Sequence, residues 1–163
     1  MSQDYQITNN QTLFTIHNES GLDLPISQPD VEELGGLVSS NESCSFGLIE
    51  VVYVDENAIL ETNRSYLNHD YVTDIITFPY QDSPAKPGHS DDRFLDGTLF
   101  CCAQRIAEQA VELEEKIENE FRRVFIHGLL HLVGYNDKTD EERMIMRDRE
   151  NFYLKAYEER HAK

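Results

Sequence analysis

The stretch His127-Gly128-Leu129-Leu130-His131-Leu132-Val133-Gly134-Tyr135-Asn136-Asp137 is the most informative part of the chain. Two histidines four positions apart in a helix project from the same face, about 40° apart around the axis and one turn apart along it. Gly134 is the type of residue that ends a helix in a left-handed turn, so the chain after it can return toward the histidines. The spacing therefore predicts that His127, His131 and Asp137 hold one metal ion.

The donor set of this stretch suits zinc. Imidazole and carboxylate groups are zinc ligands, and a catalytic zinc site keeps three protein ligands with the fourth position open. We therefore predict one Zn²⁺ per chain, with His127, His131 and Asp137 as both the metal-binding and the catalytic residues. The alternative is a pair of surface histidines without a metal. Gly134 and Asp137, at the offsets a third ligand needs, make that alternative the weaker one.

Gly128 restricts the chemistry of the predicted site. Metalloproteases with two histidines at this spacing carry a glutamate directly after the first histidine, where it acts as the general base for the attacking water. Glycine has no side chain that could act as this base. The sequence therefore keeps the metal ligands and argues against an ordinary peptidase.

The hydrophobic periodicity predicts an α+β fold with about four strands and about five helices, and the metal site lies on one of these helices. The predicted strands are Thr12–Ile16, Phe46–Val54, Tyr71–Phe78 and Leu95–Cys101. The predicted helices are a short one from Pro29, one from Asp55 to Asn68, Ala103–Glu120, Phe121–Val133, and one from Thr139 toward Tyr157.

Three of these helices carry finer expectations. The helix after Asp55 is expected to bury Ile59, Leu60, Tyr66 and Leu67. Ala103–Glu120 is expected to be amphipathic, with a solvated face formed by its six glutamates and an apolar stripe at Ile106, Ala110, Leu113 and Ile117. In the motif helix the core stripe is Phe121, Phe125, Gly128, Leu129 and Leu132, so that the two histidines border the core.

Composition favours one domain over residues 1–163. The chain is 39% apolar and 28% charged, which is ordinary for a globular protein, and we expect no membrane segment. The first residues lack the features of a signal peptide, so a cytoplasmic location is expected. The three cysteines Cys44, Cys101 and Cys102 are expected to be reduced, buried thiols. The polar stretch Tyr80–Phe94 is either a functional loop or a disordered one, and its His89 is either a spare ligand or solvated.

The net charge limits the ways in which this chain can bind a polyanion. Thirty-one acidic and 14 basic residues give a net charge of −17. Such a surface repels a nucleic acid at long range, which argues against free, non-specific binding. A locally basic site, a metal-centred site, or a substrate delivered by a partner stays open.

Two blocks of the sequence resemble one family. The motif His127 to Tyr135 is similar to the signature of the YbeY endoribonucleases, bacterial maturation factors of ribosomal RNA. Asn63-Arg64-Ser65-Tyr66 followed by Thr73-Asp74-Ile75-Ile76-Thr77-Phe78-Pro79 resembles that family's L-N-x-x-Y-R and P-T-D-V-L-S-F-P. The resemblance covers about residues 46–157. It implies a single zincin-like domain over residues 1–163, with a mixed β-sheet of about four strands packed with about five helices and the metal site on a central helix.

Three positions depart from the family pattern. The family's third histidine, in a G-Y-D-H ending, is replaced by Gly134-Tyr135-Asn136-Asp137, so Asp137 is assigned as third ligand by position. The family arginine after the tyrosine is Leu67, which removes a cation expected near the site. The L-G-D-I strand entry reads Leu95-Asp96-Gly97-Thr98.

The resemblance implies a zinc-dependent endoribonuclease that cuts single-stranded RNA in small-subunit ribosomal RNA 3′-end maturation and ribosome quality control. Its implied partners are RNA and the ribosomal small subunit or its associated proteins. A second hypothesis is a ribosome-assembly factor with a structural metal and no catalytic activity, and a third is a metal-dependent hydrolase of a small substrate.

Three further polar residues have open interpretations. Thr73 and Asp74 lie near the metal or, as we favour, serve a structural role at the start of a strand. Arg123, one turn before His127, either contacts a phosphate or forms a surface salt bridge with Glu120 or nearby acids.

Overall fold

The fold places a mixed sheet on a layer of helices. A computed structural model describes residues 13–80 and 93–162. The strands in these ranges are β1 (Leu13–Asn18), β2 (Cys44–Val54), β3 (Ile75–Pro79) and β4 (Arg93–Cys102). The helices are α1 (Gln28–Glu42), α2 (Glu56–Leu67), α3 (Ala103–Glu112), α4 (Ile117–Val133) and α5 (Asp140–His161). The predicted α+β class with four strands and five helices is confirmed.

The strands form one sheet in the order β1-β2-β4-β3. Strands β1 and β4 pair with β2 in parallel, while β3 pairs with β4 in antiparallel orientation at the edge. The predicted mixed sheet is therefore confirmed. Because β3 lies at the edge, one side of it is left without a strand neighbour among the described residues.

Alternating side chains give the sheet two buried faces. Ile49 and Val51 of β2 and Leu99 of β4 belong to the main core, together with residues of α1, α4 and α5. On the opposite face Val54 and Cys102 pack in a smaller cluster with Ile59 of α2 and Ile76 of β3. This alternation is what a strand period of two requires when both faces are covered.

Helix α4 lies at the centre of the helical layer, where it packs against α1, α3 and α5 and against β3 and β4. Its predicted core stripe is confirmed, because Phe121, Phe125, Gly128, Leu129 and Leu132 are all buried. Gly128 permits the close approach to the sheet. A Cβ atom there would lie 2.7 Å from Ile75 Cδ1 and 3.0 Å from both methyl groups of Leu99.

The predicted helix caps are confirmed. Asp55 accepts a hydrogen bond from the backbone N–H of Ala58, at 2.9 Å, and so begins α2. Thr139 and Glu142 form the capping box that begins α5. Gly134, at φ 125°, ends α4 in a conformation that favours glycine. Gly134 and the Thr139 capping box fix where the chain leaves α4 and enters α5, on either side of Asp137.

The prediction of one helix over Ala103–Glu120 is wrong, because the chain breaks between α3 and α4. Glu114 adopts a left-handed conformation, at φ 55°, and the backbone N–H of Glu115 donates to the carbonyl of Ala110. That pattern is a helix end for which glycine is the usual residue, so a glutamate at this position did not indicate it. Leu113 and Ile117 are consequently exposed, at 52% and 40%.

Other boundaries also differ from prediction. The run Tyr71–Phe78 forms a strand only from Ile75, because the segment before it follows the end of α2 and is held there by Asn63, whose side chain donates to the carbonyl of Tyr71. Tyr66 and Leu67 are 74% and 43% exposed rather than buried, since the helix buries Ile59 and Asn63. The predicted short helix from Pro29 extends to Glu42, and α5 continues to His161.

Several remaining expectations concern single residues. Cys44, Cys101 and Cys102 are buried thiols, as predicted. Burial raises the pKa of the Cys101 thiol well above its ordinary value, which keeps it in the unreactive protonated form. His89 lies outside the described residues, as do Thr12 and most of the stretch Tyr80–Phe94.

None of the helices in the described ranges is long and apolar enough to cross a bilayer.

Gly128→Ala tests the close approach of α4 to the sheet. Alanine gains up to about 1 kcal/mol of helix propensity over glycine, but at position 128 overpacking against Ile75 and Leu99 costs about 1–3 kcal/mol. Gly36→Ala in α1 is the matched control, because a Cβ there meets no atom within 4 Å. In urea unfolding, Gly36→Ala is expected to raise the free energy of unfolding above that of the wild type. Gly128→Ala is expected to have a lower free energy of unfolding than Gly36→Ala. Equal effects would contradict the packing argument.

Candidate metal centre

The three predicted ligands converge in the folded chain. His131 Nε2 lies 3.0 Å from His127 Nε2 and 3.3 Å from Asp137 Oδ2, and His127 Nε2 lies 3.2 Å from the same oxygen. In the described part of the chain these residues form a group whose ligand atoms all lie within 4.8 Å of one another. The two imidazoles come from one face of α4, and Gly134 turns the chain so that Asp137 faces them.

The spacing of these atoms fits a tetrahedral ion. With metal–ligand bonds of about 2.0–2.1 Å, two ligands of a tetrahedral zinc lie roughly 3.3 Å apart. The three observed separations, 3.0 to 3.3 Å, are close to that value. Three side chains leave a fourth position open. His127, His131 and Asp137 are 23%, 26% and 37% exposed, so the site lies at the border of core and solvent.

Each imidazole is held by its other nitrogen. His131 Nδ1 lies 3.0 Å from the carbonyl oxygen of Tyr135, which can only accept a hydrogen bond, so Nδ1 carries the hydrogen and Nε2 presents its lone pair. His127 Nδ1 lies 2.7 Å from Glu150 Oε2 and donates to that carboxylate. Such outer hydrogen bonds fix the ring orientation and raise the basicity of a metal ligand.

The surroundings of His127 favour positive charge. Burial alone lowers the pKa of this imidazole, but the hydrogen bond to Glu150 and the negative charges of Glu150, Asp74 and Asp137 outweigh it and raise the pKa above its ordinary value. The same field of carboxylates stabilises a cation at Nε2. A divalent metal ion is therefore electrostatically favoured at this point.

Glu150 is a site residue that the sequence did not reveal. It lies in α5, is 4% exposed, and accepts hydrogen bonds from His127 and, at 3.2 Å, from Arg123 Nη1. Its sequence signal was weak because α5 contains several other glutamates. Arg123 is 11% exposed and also donates to Asn151. The salt-bridge interpretation of Arg123 is therefore supported, although the residue is nearly buried rather than on the surface.

Glu42, at the end of α1, is a second carboxylate that the sequence did not reveal. It accepts hydrogen bonds from Tyr135 Oη at 2.9 Å, Arg149 Nη2 at 2.7 Å and Tyr153 Oη at 2.6 Å. Tyr135 thus joins two partners, since its carbonyl accepts from His131 and its hydroxyl donates to Glu42. The cluster ties the loop that carries Asp137 to both α1 and α5.

Two pockets meet at the metal-binding group. One, of about 410 Å³, lies toward α3 and α5, and the other, of about 510 Å³, lies along β3. His127, Asp137 and Asp74 line both of them. The three predicted ligands thus lie where two pockets meet, and each pocket is large enough for a small molecule.

The other predicted polar residues occupy defined places. Asp74 accepts a hydrogen bond from Gln109 at 3.1 Å, and its carbonyl accepts from the backbone of Cys102, which supports the structural interpretation; its carboxylate also faces the metal group. Leu67 lines the pocket along β3, so the position of the family arginine does border the site. Asp140 is 95% exposed and pairs with Arg143, outside the metal group.

The solvation expected for the glutamates near α3 is wrong for Glu120. This residue lies in the first turn of α4 and is 3% exposed. Burial raises the pKa of its carboxyl, while the charge of Arg123 and a hydrogen bond from Gln109 at 3.1 Å act in the opposite direction. Glu120 therefore forms part of the pocket wall rather than a solvated face.

Similarity to known proteins agrees with this geometry. The solution structure of a Thermotoga maritima protein has a similar fold, with a TM-score of 0.57 and 24% identity over 86% of this chain and 87% of that one. Proteins named endoribonuclease YbeY are 37% identical in Flavobacterium psychrophilum, over 72% of this chain and 77% of theirs, and 38% in Phocaeicola vulgatus, over 77% and 88%. In Chlorobium limicola the identity is 40% over 72% and 77%.

The family model "Endoribonuclease YbeY" matches residues 25–158. Taken with the identity of the relatives, this match shows that the chain belongs to the YbeY endoribonuclease family. The family resemblance predicted from the two sequence blocks is confirmed, and so is the assignment to a class of RNA-cleaving enzymes.

Glu150→Gln tests the support of His127. Removing the charge that orients and polarises the imidazole is expected to weaken metal binding by about 10- to 100-fold. Glu158→Gln, an exposed change on the same helix, is the control and should leave affinity unchanged. Competition with a chromogenic chelator measures both, and circular dichroism checks that the variants fold. Equal affinities in the two variants would remove Glu150 from the site.

Glu42→Gln tests the cluster behind the metal loop through its pH dependence. Burial raises the pKa of Glu42, but hydrogen bonds from Tyr153, Arg149 and Tyr135 outweigh it and leave the pKa below its ordinary value of 4.5. A lowered pKa contributes stability above the unfolded-state pKa, and that contribution is lost as the pH falls through the folded-state pKa.

The free energy of unfolding of Glu42→Gln should therefore fall below that of the wild type by about 1–3 kcal/mol at pH 7. The difference should shrink as the pH drops below 4.5. Urea titrations at pH 7 and at a pH below 4.5 measure this difference in the free energy of unfolding. The exposed change Glu32→Gln in the same helix is the control, and a difference that grows toward low pH would contradict the sign.

Proposed function

We propose that this chain is a metal-dependent endoribonuclease that cuts single-stranded RNA, with one Zn²⁺ bound by His127, His131 and Asp137. The observation that carries the proposal is the convergence of three ligand atoms at 3.0 to 3.3 Å, with both imidazoles oriented from behind. Oriented ligands are the preorganisation that a metal-assisted hydrolase needs.

The residues around the proposed ion have different roles. An ion bound here supplies Lewis-acid stabilisation of the negative charge that develops on a phosphodiester. His127 and His131 hold their lone pairs toward one point because Glu150 and Tyr135 occupy their Nδ1 hydrogens. Gly128 lets α4 lie against β3 and β4, which brings the edge strand beside the ion. The groove on both sides of the ion leaves room for a strand to pass.

The natural substrate that we propose is ribosomal RNA, at the 3′ end of the small-subunit RNA, in maturation and ribosome quality control in the cytoplasm. The named relatives are endoribonucleases, and the two sequence blocks resemble their family. A net charge of −17 favours RNA presented by a partner over free RNA. The small subunit or its associated proteins are the partners that such presentation calls for.

A ribosome-assembly factor with a structural metal is the second candidate. Leu67, which lines the pocket along β3, favours it, because a cation that would contact a phosphate there is missing. The two candidates differ in whether RNA cleavage follows metal occupancy.

The deciding experiment measures zinc content and RNA cleavage together. Wild-type protein is expected to bind one zinc per chain and to cut a single-stranded RNA at a rate proportional to occupancy. Alanine at His127, His131 or Asp137 should reduce both by at least about 100-fold, because three ligands hold the ion. Asp23→Ala removes an exposed carboxylate that lies outside the metal-binding group, so it is the control and should change neither.

Cleavage that persists unchanged in His127→Ala would refute the metal site as the catalyst. A fully zinc-loaded wild type that cuts no RNA would favour the structural role instead. Metal bound equally well by Asp137→Ala would move the third ligand to another residue.

A further inference from the structure

The pocket between α3, α4 and α5 collects arginines in a chain that is strongly acidic. Four of the 14 basic residues line it, namely Arg105, Arg123, Arg143 and Arg147. His127 and Asp137 line the same pocket, so the arginines surround a space that opens on the metal-binding group. Its volume, about 410 Å³, lies within the usual range for small-molecule sites.

Three of these arginines are already engaged. Arg105 forms a two-point ion pair with Glu112, at 3.0 and 3.3 Å. Arg123 is nearly buried against Glu150 and Asn151. Arg143 donates to the backbone carbonyls of Asp137 and Lys138 and pairs with Asp140, so it supports the loop that carries the third metal ligand.

Arg147 differs from the other three. Its side chain is 54% exposed, and within residues 13–80 and 93–162 its ion pair is a long one, 3.9 Å from Nη1 to Glu150 Oε1. That carboxylate keeps shorter contacts with His127 and Arg123, so Arg147 can turn away without leaving a buried charge unpaired. Its guanidinium is thus available to a ligand at the mouth of the pocket.

The charge balance of the pocket depends on the metal. Its lining has four arginines and five carboxylates, which are Asp74, Glu112, Glu120, Asp137 and Glu150. With all of these charged, the lining is negative by one charge without an ion and positive by one charge with a divalent ion. Anion binding there is therefore expected to require the metal.

We propose that this pocket binds a backbone phosphate of single-stranded RNA next to the phosphodiester that is cut, and that Arg147 makes the contact. The planar guanidinium suits a phosphate because it can donate two parallel hydrogen bonds. The proposal rests on the function proposed above and adds the direction in which the strand leaves the metal. It also supplies a cation in the pocket lined by α5, whereas Leu67 lines the other pocket.

The test compares two arginines of one helix. Arg160 is 59% exposed and lies at the other end of α5, where it pairs with Glu33, so Arg160→Gln removes the same charge from the same helix away from the pocket. The probe is a short 2′-O-methyl RNA strand with a fluorescent label, checked for integrity after each measurement. Binding to zinc-loaded protein is followed by anisotropy as a function of salt concentration.

Arg147→Gln is expected to weaken binding and to lower the slope of log affinity against log salt by about 0.7, the value for one lost phosphate contact on a single strand. Arg160→Gln should keep the wild-type slope. Arg147→Lys should restore the slope but only part of the affinity, because an ammonium lacks the two-point geometry. On cleavable RNA, Arg147→Gln should raise KM several-fold and leave kcat and zinc content unchanged.

The outcomes separate this proposal from the proposed function. If Arg147→Gln and Arg160→Gln give the same slope, or if the wild type does not bind the probe, the phosphate site is refuted. If the wild type binds the probe with the expected dependence on Arg147 and on zinc but cuts no RNA, the site stands and the nuclease function fails. Binding that is unaffected by removal of zinc would refute the charge argument and the site with it.

Discussion

The hydrogen bond between Glu150 and His127 is the contact on which the geometry of the metal centre depends. It joins the last helix to the central helix, and it is made by a carboxylate that is almost completely buried. A buried carboxylate needs partners, and His127 and Arg123 supply them. The same interaction therefore packs α5 against α4 and orients one imidazole toward the other two predicted ligands. Glu150 thus contributes both to helix packing and to the geometry of the candidate site.

Acidic residues serve several purposes in this protein. Glu42, Glu120 and Glu150 are largely buried, and each lies against arginine, glutamine or tyrosine donors. The net charge of −17 consequently does not describe the groove, where arginines are concentrated and where a divalent ion would reverse the sign. Long-range repulsion and local attraction of a polyanion can coexist, because exposed charges are screened beyond about 10 Å at 0.1 M salt.

The sequence predicted what depends on local spacing. The convergence of His127, His131 and Asp137 follows from the helix period and from a glycine at the helix end, and the caps at Asp55 and Thr139 follow from short-range hydrogen bonding. Prediction from the sequence failed where a residue adopts a conformation that is rare for its type, as Glu114 does in the left-handed region. It also failed where partners are distant in the chain. Glu42 and Tyr153 are 111 positions apart, and no periodicity links them.

The distance along the chain between the predicted ligands and the residues that orient them affects the order in which the site forms. The histidines and Asp137 lie within one short segment, but their orientation depends on Glu150 and, through Tyr135, on Glu42, which lies 93 positions earlier. During synthesis the ligand segment emerges before α5 does. A nascent chain thus holds all three predicted ligands without the helix that aligns them. If the group binds a metal as proposed, tight binding has to wait until α5 has docked, and metal loading is coupled to completion of the fold.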